Sequence, residues 1–141
     1  MTDEERLAIK SVAEQTYATA KEKGWWPKAR EETTPEEISN KLMLTVSELA
    51  EALEELRNDQ PHIYYSLEHE DNGVKFRMPL RPDEEVRCPP AKPEGFGIEL
   101  ADAVIRIFDL AEHMGIDMGE MLMIKMHFNK TRPFRHGGKV L

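Results

Sequence analysis

The stretch FGIELADAVIRIFDLAEHM, residues 96–114, confines nearly all of its charge to one stripe of an otherwise apolar helix. At about 100° per residue, its polar groups project within about 80° of one another. These groups are Glu99, Asp102, Arg106, Asp109 and His113. The rest of the circumference is apolar almost all round, which is typical of a helix surrounded by other helices. Because an unpaired buried carboxylate is very costly, these groups need partners, a metal ion or water-filled space.

A second carboxylate pair lies in the helical segment KLMLTVSELAEALEEL, residues 41–56. Glu48 and Glu51 are three residues apart, as are Glu99 and Asp102. Residues i and i+3 are surface neighbours on a helix, so each segment could offer two oxygen ligands to one place. Magnesium prefers oxygen ligands and usually takes one or two protein carboxylates per ion, so this pattern favours a magnesium site with two or more ions.

A structural alternative for the same residues is a stripe of salt bridges that is centred on Arg106 and joins helices. This stripe could account for Asp102 and Asp109, at i−4 and i+3. It leaves the excess negative charge uncompensated, and the metal interpretation therefore remains the stronger one.

The composition favours one domain, 1–141, that does not wrap a nucleic-acid backbone. The chain has 27 acidic and 19 basic residues and a net charge of −8, although residues 125–141 contain no acid. A lone Cys88 cannot form an internal disulfide. The N-terminus lacks the pattern of a signal peptide, and no apolar run approaches the length of a membrane span, so we expect a cytoplasmic protein that is not in a membrane.

Four helices are predicted from capping residues and apolar periodicity. The first begins at the Thr2/Glu5 capping box and ends near residue 23, and the second runs from Thr34 to about residues 56–58. The third begins near residues 94–97 and ends at Gly115, and the fourth runs from Asp117 to Arg132. The second helix is expected to bury one arc, formed by Ile38, Leu42, Leu49, Leu53 and Leu56.

An insertion over about residues 59–95 separates the two acidic segments. Residues 63–78 are rich in β-forming residues, and Asn72-Gly73 is the preferred loop of a two-residue hairpin. With this loop at the tip, Glu70 faces Lys75 and Glu68 faces Arg77. The proline-rich residues 79–93 predict an extended loop without a regular element.

Lys125, Asn129 and Arg132 lie at i, i+4 and i+7 of the fourth helix and could reach phosphates or a base edge. Alternatively, these basic groups complement the dipole at the end of the helix. Trp26 could stack on a nucleobase, although a tryptophan beside a helix end is more often part of a core or an interface.

The motifs ELAE, residues 48–51, and ELAD, residues 99–102, resemble the ExxE and ExxD signature of the MazG-like family of all-α nucleoside triphosphate pyrophosphohydrolases. Residues 92–117, KPEGFGIELADAVIRIFDLAEHMGID, and the ending KMHFNKTRPFRHGGK, residues 125–139, are also similar to a MazG-like branch. The two acidic motifs are usually joined by a short connection, whereas here 47 residues lie between Glu51 and Glu99.

The resemblance implies an all-α fold, a four-helix MazG-like bundle with the inserted hairpin and proline-rich loop, which forms a homodimer or homotetramer. It implies that Mg²⁺, for which Mn²⁺ can substitute, binds Glu48, Glu51, Glu99 and Asp102. It implies that the nucleotide contacts Lys125 and Asn129 and, as weaker candidates, Arg132 and two residues of the basic tail over 133–141, His136 and Lys139.

The expected reaction is hydrolysis of a nucleoside triphosphate to the monophosphate and pyrophosphate, with Glu51 or Glu55 as proton acceptor. One alternative is a related activity, that of a phosphoribosyl-ATP pyrophosphatase. Another is a non-catalytic helical module that binds a partner protein. Nucleic-acid binding through residues 125–139 ranks last because it conflicts with the overall charge.

Overall fold

The computed structural model describes residues 1–71, 74–80 and 91–133, without the side chains of 67–71 and 74–80. The described part of the chain is mostly helical, as predicted. Its helices are α1 (Asp3–Glu22), α2 (Pro35–Arg57), α3 (Phe96–His113) and α4 (Met118–Thr131), with a short 3-10 helix at Arg30–Glu32. Its strands are β1 (Tyr64–Asp71), β2 (Val74–Leu80) and β3 (Lys92–Glu94).

The chain divides into two compact units. The first unit contains Met1–Ile38 and Ile107–Leu141, and the second contains Ser39–Arg106. The first unit therefore holds α1, the 3-10 helix, α4 and the end of α3, whereas the second holds most of α2, the strands and the start of α3.

The predicted capping residues lie at the starts of their helices. The Thr2 hydroxyl accepts a hydrogen bond from the Glu5 backbone N–H at 3.2 Å, and the Glu5 carboxylate accepts one from the Thr2 N–H at 2.6 Å. Thr34 and Glu37 make the same reciprocal pair at the start of α2, at 3.3 and 2.9 Å. Asp117 caps α4 as predicted. These bonds satisfy N–H groups that have no partner inside the helix, so the boundaries are determined locally.

The first unit has its core around the aromatic pair Trp26 and His113, whose rings stack with centroids 3.9 Å apart. Thr33 donates its hydroxyl hydrogen to the Ala29 carbonyl, so its oxygen, 2.8 Å from His113 Nε2, accepts from that nitrogen. The Tyr17 hydroxyl, 3.1 Å from Nδ1, then donates to the other ring nitrogen. Both ring nitrogens of the buried histidine are therefore satisfied.

Helix α1 packs against α4 in this unit. Arg6 and Asp117 form a salt bridge of 3.0 Å, which ties the cap of α4 to α1. A Cβ at Gly119 would lie 2.5 Å from the Arg6 carbonyl oxygen. Only glycine therefore allows the two helices to approach this closely.

The second unit contains a three-stranded antiparallel sheet in the order β2-β1-β3. The backbone register of β1 and β2 is the predicted one, with Glu70 opposite Lys75 and Glu68 opposite Arg77. The predicted turn, Asn72-Gly73, lies outside the described residues.

Strand β3 corrects the prediction that residues 79–93 contain no regular element. Lys92–Glu94 pairs with β1, which places Lys92 opposite Ser66 and Glu94 opposite Tyr64. Proline has a low β-propensity, so the residues of this short strand do not predict it from sequence. Pro93 is tolerated because β3 lies at the edge of the sheet. The fold is mostly helical with a small sheet.

The expected arc of α2 is also wrong for the single chain. Leu42, Leu49, Leu53 and Leu56 are between 45% and 58% exposed, whereas Thr45, Glu48 and Ala52 are buried. Periodicity separates the faces of a helix but does not say which face the rest of the chain covers.

The apolar circumference of α3 is likewise only partly covered, because Leu100, Val104 and Ile105 are exposed. Exposed apolar surface of this extent is typical of interaction sites. Among the described residues, no helix combines the length and the apolar character needed to cross a bilayer.

The adjacent tryptophans provide a matched test of the first core. Trp26 is 6% exposed and Trp25 is 54% exposed. We expect Trp26→Ala to lower the free energy of unfolding by about 3–5 kcal/mol, because it removes a buried aromatic ring and leaves a cavity. Trp25→Ala should change it by no more than about 0.5 kcal/mol. Urea unfolding followed by circular dichroism measures both, and equal effects would contradict this assignment of the core.

Candidate metal centre

Helices α2 and α3 bring carboxylates from both acidic motifs to one place in the second unit. Oxygen atoms of Glu48, Glu51 and Glu99 all lie within 4.8 Å of one another. Asp102 follows Glu99 by one turn of α3, and the negative charge of Glu48 raises the pKa of Asp102. Three of the four predicted carboxylates therefore converge. We call these three residues, together with Asp102, the carboxylate cluster.

The cluster has a buried side and an accessible side. Glu48 and Glu99 are 6% and 5% exposed, whereas Glu51 is exposed. A cation that enters from solvent would meet Glu51 first and the buried carboxylates behind it. This arrangement allows an ion to keep water ligands on one side, as Mg²⁺ does in proteins.

The cluster holds more negative charge than the protein neutralises. Burial, together with the charges of Glu51, Asp102 and Glu48, raises the pKa of Glu99 from 4.5 to about 7. Burial and the charge of Glu48 also raise the pKa of Asp102. Without an added cation, Glu99 therefore retains its proton into the neutral range.

Arg106 supplies part of the missing positive charge. Its Nε donates to Glu48 Oε1 at 2.6 Å, so it joins α3 to α2. Arg106 thus joins two helices, as the structural alternative predicted, and Glu48 is its partner. It does not replace the metal interpretation, because the pKa of Glu99 remains raised with Arg106 in place.

Glu55, the second candidate for the proton acceptor, lies outside the group of three converging carboxylates. Its Oε1 accepts a hydrogen bond from the Tyr64 hydroxyl at 3.3 Å. Its Oε2 is buried and has no hydrogen-bond partner among the described residues. The strand residue Tyr64 therefore orients this carboxylate, which sequence periodicity did not indicate.

The predicted nucleotide-binding residues that the structure describes belong to the first unit, whereas the carboxylate cluster belongs to the second. Lys125 and Asn129 are exposed on α4, and Arg132 is exposed directly after its last residue. All three belong to the first unit. The Lys125 ammonium and the Arg132 guanidinium lie 5.2 and 6.0 Å from the centroid of the Phe128 ring. His136 and Lys139 fall outside the described residues.

Trp26, considered for base stacking, is buried in the core of the first unit. One face of its ring is covered by His113, at a centroid distance of 3.9 Å and an interplanar angle of 16°. This environment favours the core interpretation of Trp26 over base stacking.

Sequence reasoning missed the contribution of β3. Lys92 lowers the pKa of both Glu99 and Asp102, so its charge acts at the cluster. The ammonium of Lys92 forms a salt bridge of 3.0 Å with Glu94, which is buried and also accepts a hydrogen bond from Ser66. No local pattern pointed to these residues, because β3 exists only through its pairing with β1.

The donor set fits a hard divalent cation. The converging atoms are carboxylate oxygens, without sulfur or imidazole. Mg²⁺ and Mn²⁺ prefer such ligands, whereas Zn²⁺ sites in proteins usually include cysteine or histidine. The excess negative charge around Glu99 supports the same conclusion.

Comparison of the chain with protein-family models, curated proteins and solved structures finds no match. The resemblance to MazG-like enzymes therefore rests on the sequence motifs alone.

The raised pKa of Glu99 predicts a specific pH dependence for the metal-free protein. The unfolded chain releases this proton near pH 4.5 and the folded chain near pH 7. The stability associated with Glu99 is thus fully present below pH 4.5 and is lost as the pH rises through 7. As the pH rises through this range, the free energy of unfolding of the wild type should fall by on the order of 3 kcal/mol relative to that of Glu99→Gln.

Urea unfolding in a chelator across this range measures the difference. The comparison with Glu99→Gln removes the contributions of groups that titrate in the opposite direction, such as Glu37 and Asp117, whose pKa values are lowered. Glu54→Gln, at an exposed position of α2, is the matched control and should follow the wild type. Parallel curves for wild type and Glu99→Gln would show that Glu99 ionises normally.

Proposed function

We propose that this chain is a Mg²⁺-dependent nucleoside triphosphate pyrophosphohydrolase, which releases the monophosphate and pyrophosphate. The observation that carries the proposal is the convergence of Glu48, Glu51 and Glu99, whose oxygens lie within 4.8 Å of one another. These residues belong to the ExxE and ExxD motifs that resemble the MazG-like signature. The raised pKa of Glu99 supports a site that needs an added cation.

The buried and the exposed carboxylates would have different roles. Glu48 and Glu99, on the buried side, would hold Mg²⁺ together with Asp102, and Mn²⁺ should substitute because it accepts the same oxygen ligands. Bound Mg²⁺ would stabilise charge on the phosphoryl oxygens and lower the pKa of a coordinated water. Glu51 is exposed and is the better placed of the two candidates to accept the proton of the attacking water.

Glu55 is the second candidate for the proton acceptor. The Tyr64 hydroxyl holds one of its oxygens, and the other is buried without a hydrogen-bond partner among the described residues. Glu51→Gln and Glu55→Gln distinguish the two candidates. The variant that lacks the proton acceptor should have a lower kcat, and a variant that lacks a metal ligand should also bind Mg²⁺ more weakly.

The nucleotide contacts that the resemblance implies remain part of the proposal. The support is that Lys125 and Asn129 on α4, and Arg132 directly after it, are exposed. The base and the sugar are not specified by these residues.

We further propose that the chain functions as a homodimer or homotetramer, with its helices completing a MazG-like bundle. The support is the apolar surface that the single chain leaves uncovered on α2 and α3, including Leu49, Leu53, Val104 and Ile105. Burial of such faces against a second copy is the common way in which a small helical chain completes its core.

Product analysis tests the reaction. We expect monophosphate and pyrophosphate from at least one member of a panel of nucleotides with Mg²⁺, and no turnover in EDTA. Glu51→Gln and Glu99→Gln should lower kcat/KM by about 100-fold or more, because the first removes the favoured proton acceptor and the second removes a metal ligand. Glu54→Gln, at an exposed position of α2, should retain activity.

Release of orthophosphate without pyrophosphate, or no turnover across the panel, would contradict the proposed reaction. Phosphoribosyl-ATP belongs in the panel, since exclusive turnover of this compound identifies the related activity instead. A non-catalytic interaction module predicts no change in melting temperature when Mg²⁺ is added.

Light scattering after size exclusion tests the oligomer. The wild type should have the mass of a dimer or a tetramer of the 16.3 kDa chain. Leu49→Lys combined with Leu53→Lys should lower that mass by placing charge in the apolar face, whereas Leu49→Met with Leu53→Met should preserve it. A wild-type mass of 16.3 kDa would contradict the proposed assembly.

A further inference from the structure

We propose that the first unit contains a small-molecule site on α4, which binds an anion with an apolar, aromatic body. In the part of the chain that the structure describes, a cavity of about 440 Å³ lies on this helix. It is lined by Met1, Met123, Ile124, Met126, His127 and Lys130. None of these residues belongs to the carboxylate cluster or to the residues proposed to contact the nucleotide, so the inference is independent of the proposed function.

The cavity continues the face of α4 that packs against α1. Four residues of this face lie on one side of the helix, at i, i+4, i+7 and i+11. They are Gly119, Met123, Met126 and Lys130. At Gly119 the backbone of α1 is so close that a Cβ would lie 2.5 Å from the Arg6 carbonyl oxygen. Further along the face, the cavity is lined by Met1, which precedes the first residue of α1. The cavity therefore lies where α4 extends beyond the start of α1.

The walls of the cavity are mainly apolar and adaptable. Three of the six lining residues are methionines, and a fourth is Ile124. Methionine is unbranched and has a polarizable thioether, so it packs against irregular shapes and makes favourable contacts with aromatic rings. A volume of about 440 Å³ lies in the range of small-molecule sites, which is about 300–1,000 Å³. An aromatic body therefore suits this lining.

The two remaining residues of the lining favour an anionic ligand. Lys130 carries a positive charge, and the ring of His127 can donate a hydrogen bond. Both residues are exposed, and no ion pair joins either of them to another described residue. The chain has a net charge of −8 but contains no acidic residue after Glu120. This end of α4 is thus a local excess of positive charge, which attracts anions.

The test follows ligand binding by NMR of the full chain, labelled in its methionine methyl groups. The probes are two aromatic anions, 2-naphthoate and 2-naphthyl phosphate, and the neutral 2-naphthalenemethanol, which has the same ring system without the charge. We expect the methyl signals of Met123 and Met126 to shift with both anions until the site is saturated. The signal of Met43, which is 63% exposed on α2, should not shift, because this residue lies outside the cavity.

The neutral compound should bind about 5-fold more weakly than the anions, since an exposed ion pair contributes little more than this. The relative affinities of the two anions identify whether the site prefers a carboxylate or a phosphate.

Lys130→Met removes the charge and keeps the length of the side chain. It should weaken the binding of both anions about 5-fold and leave that of the neutral compound unchanged. Lys125→Met is the matched control, because Lys125 is an exposed lysine of the same helix and lies about 140° away around the helix axis. This control should bind the three probes as the wild type does. Both lysines are exposed, so both variants should fold.

Several results would overturn the inference. Unshifted signals of Met123 and Met126, up to the solubility limit of the probes, would show that the cavity binds no such ligand. An equal shift at Met43, or equal affinity for the neutral compound, would show non-specific apolar binding. Signals that respond to protein concentration but not to the probes would show that a second copy fills the cavity. Unchanged binding of the anions by Lys130→Met would show that Lys130 only complements the dipole at the end of α4. None of these measurements depends on nucleotide hydrolysis.

Discussion

The concentration of negative charge where α2 and α3 approach each other is the constraint on which the second unit depends. Carboxylates from two helices converge within 4.8 Å, and two of them are buried. The Arg106–Glu48 hydrogen bond offsets part of the repulsion, yet the pKa of Glu99 remains near 7. A structure optimised for stability alone would replace such a cluster with apolar residues. Such a cluster could hold a cation.

The inserted sheet is integrated with this cluster. The Tyr64 hydroxyl of β1 contacts Glu55 on α2, and β3 continues into α3 through a junction that only glycine permits at Gly95. The same strand carries Lys92, whose charge acts on Glu99 and Asp102.

The apolar faces of the helices connect stability to assembly. The leucines of α2 and the β-branched residues of α3 are exposed in the single chain, while smaller and polar side chains are buried. Burying this surface against a second copy would add hydrophobic stabilisation of about 25 cal/mol for each Å² removed from water. That gain can offset the cost of holding several carboxylates together, so we expect the assembly and the site to depend on each other.

The sequence by itself determined the helices, their caps, the hairpin register and the two acidic pairs, because each depends on neighbours within a few residues or on a simple turn geometry. Only the tertiary structure decided that Lys92–Glu94 pairs as a strand, that α2 buries Glu48 instead of its leucines, and that Trp26 stacks on His113. These features depend on contacts between residues that are distant in the chain. Helical periodicity identifies the faces of an element, but the packing partner decides which face is buried and which side chains meet.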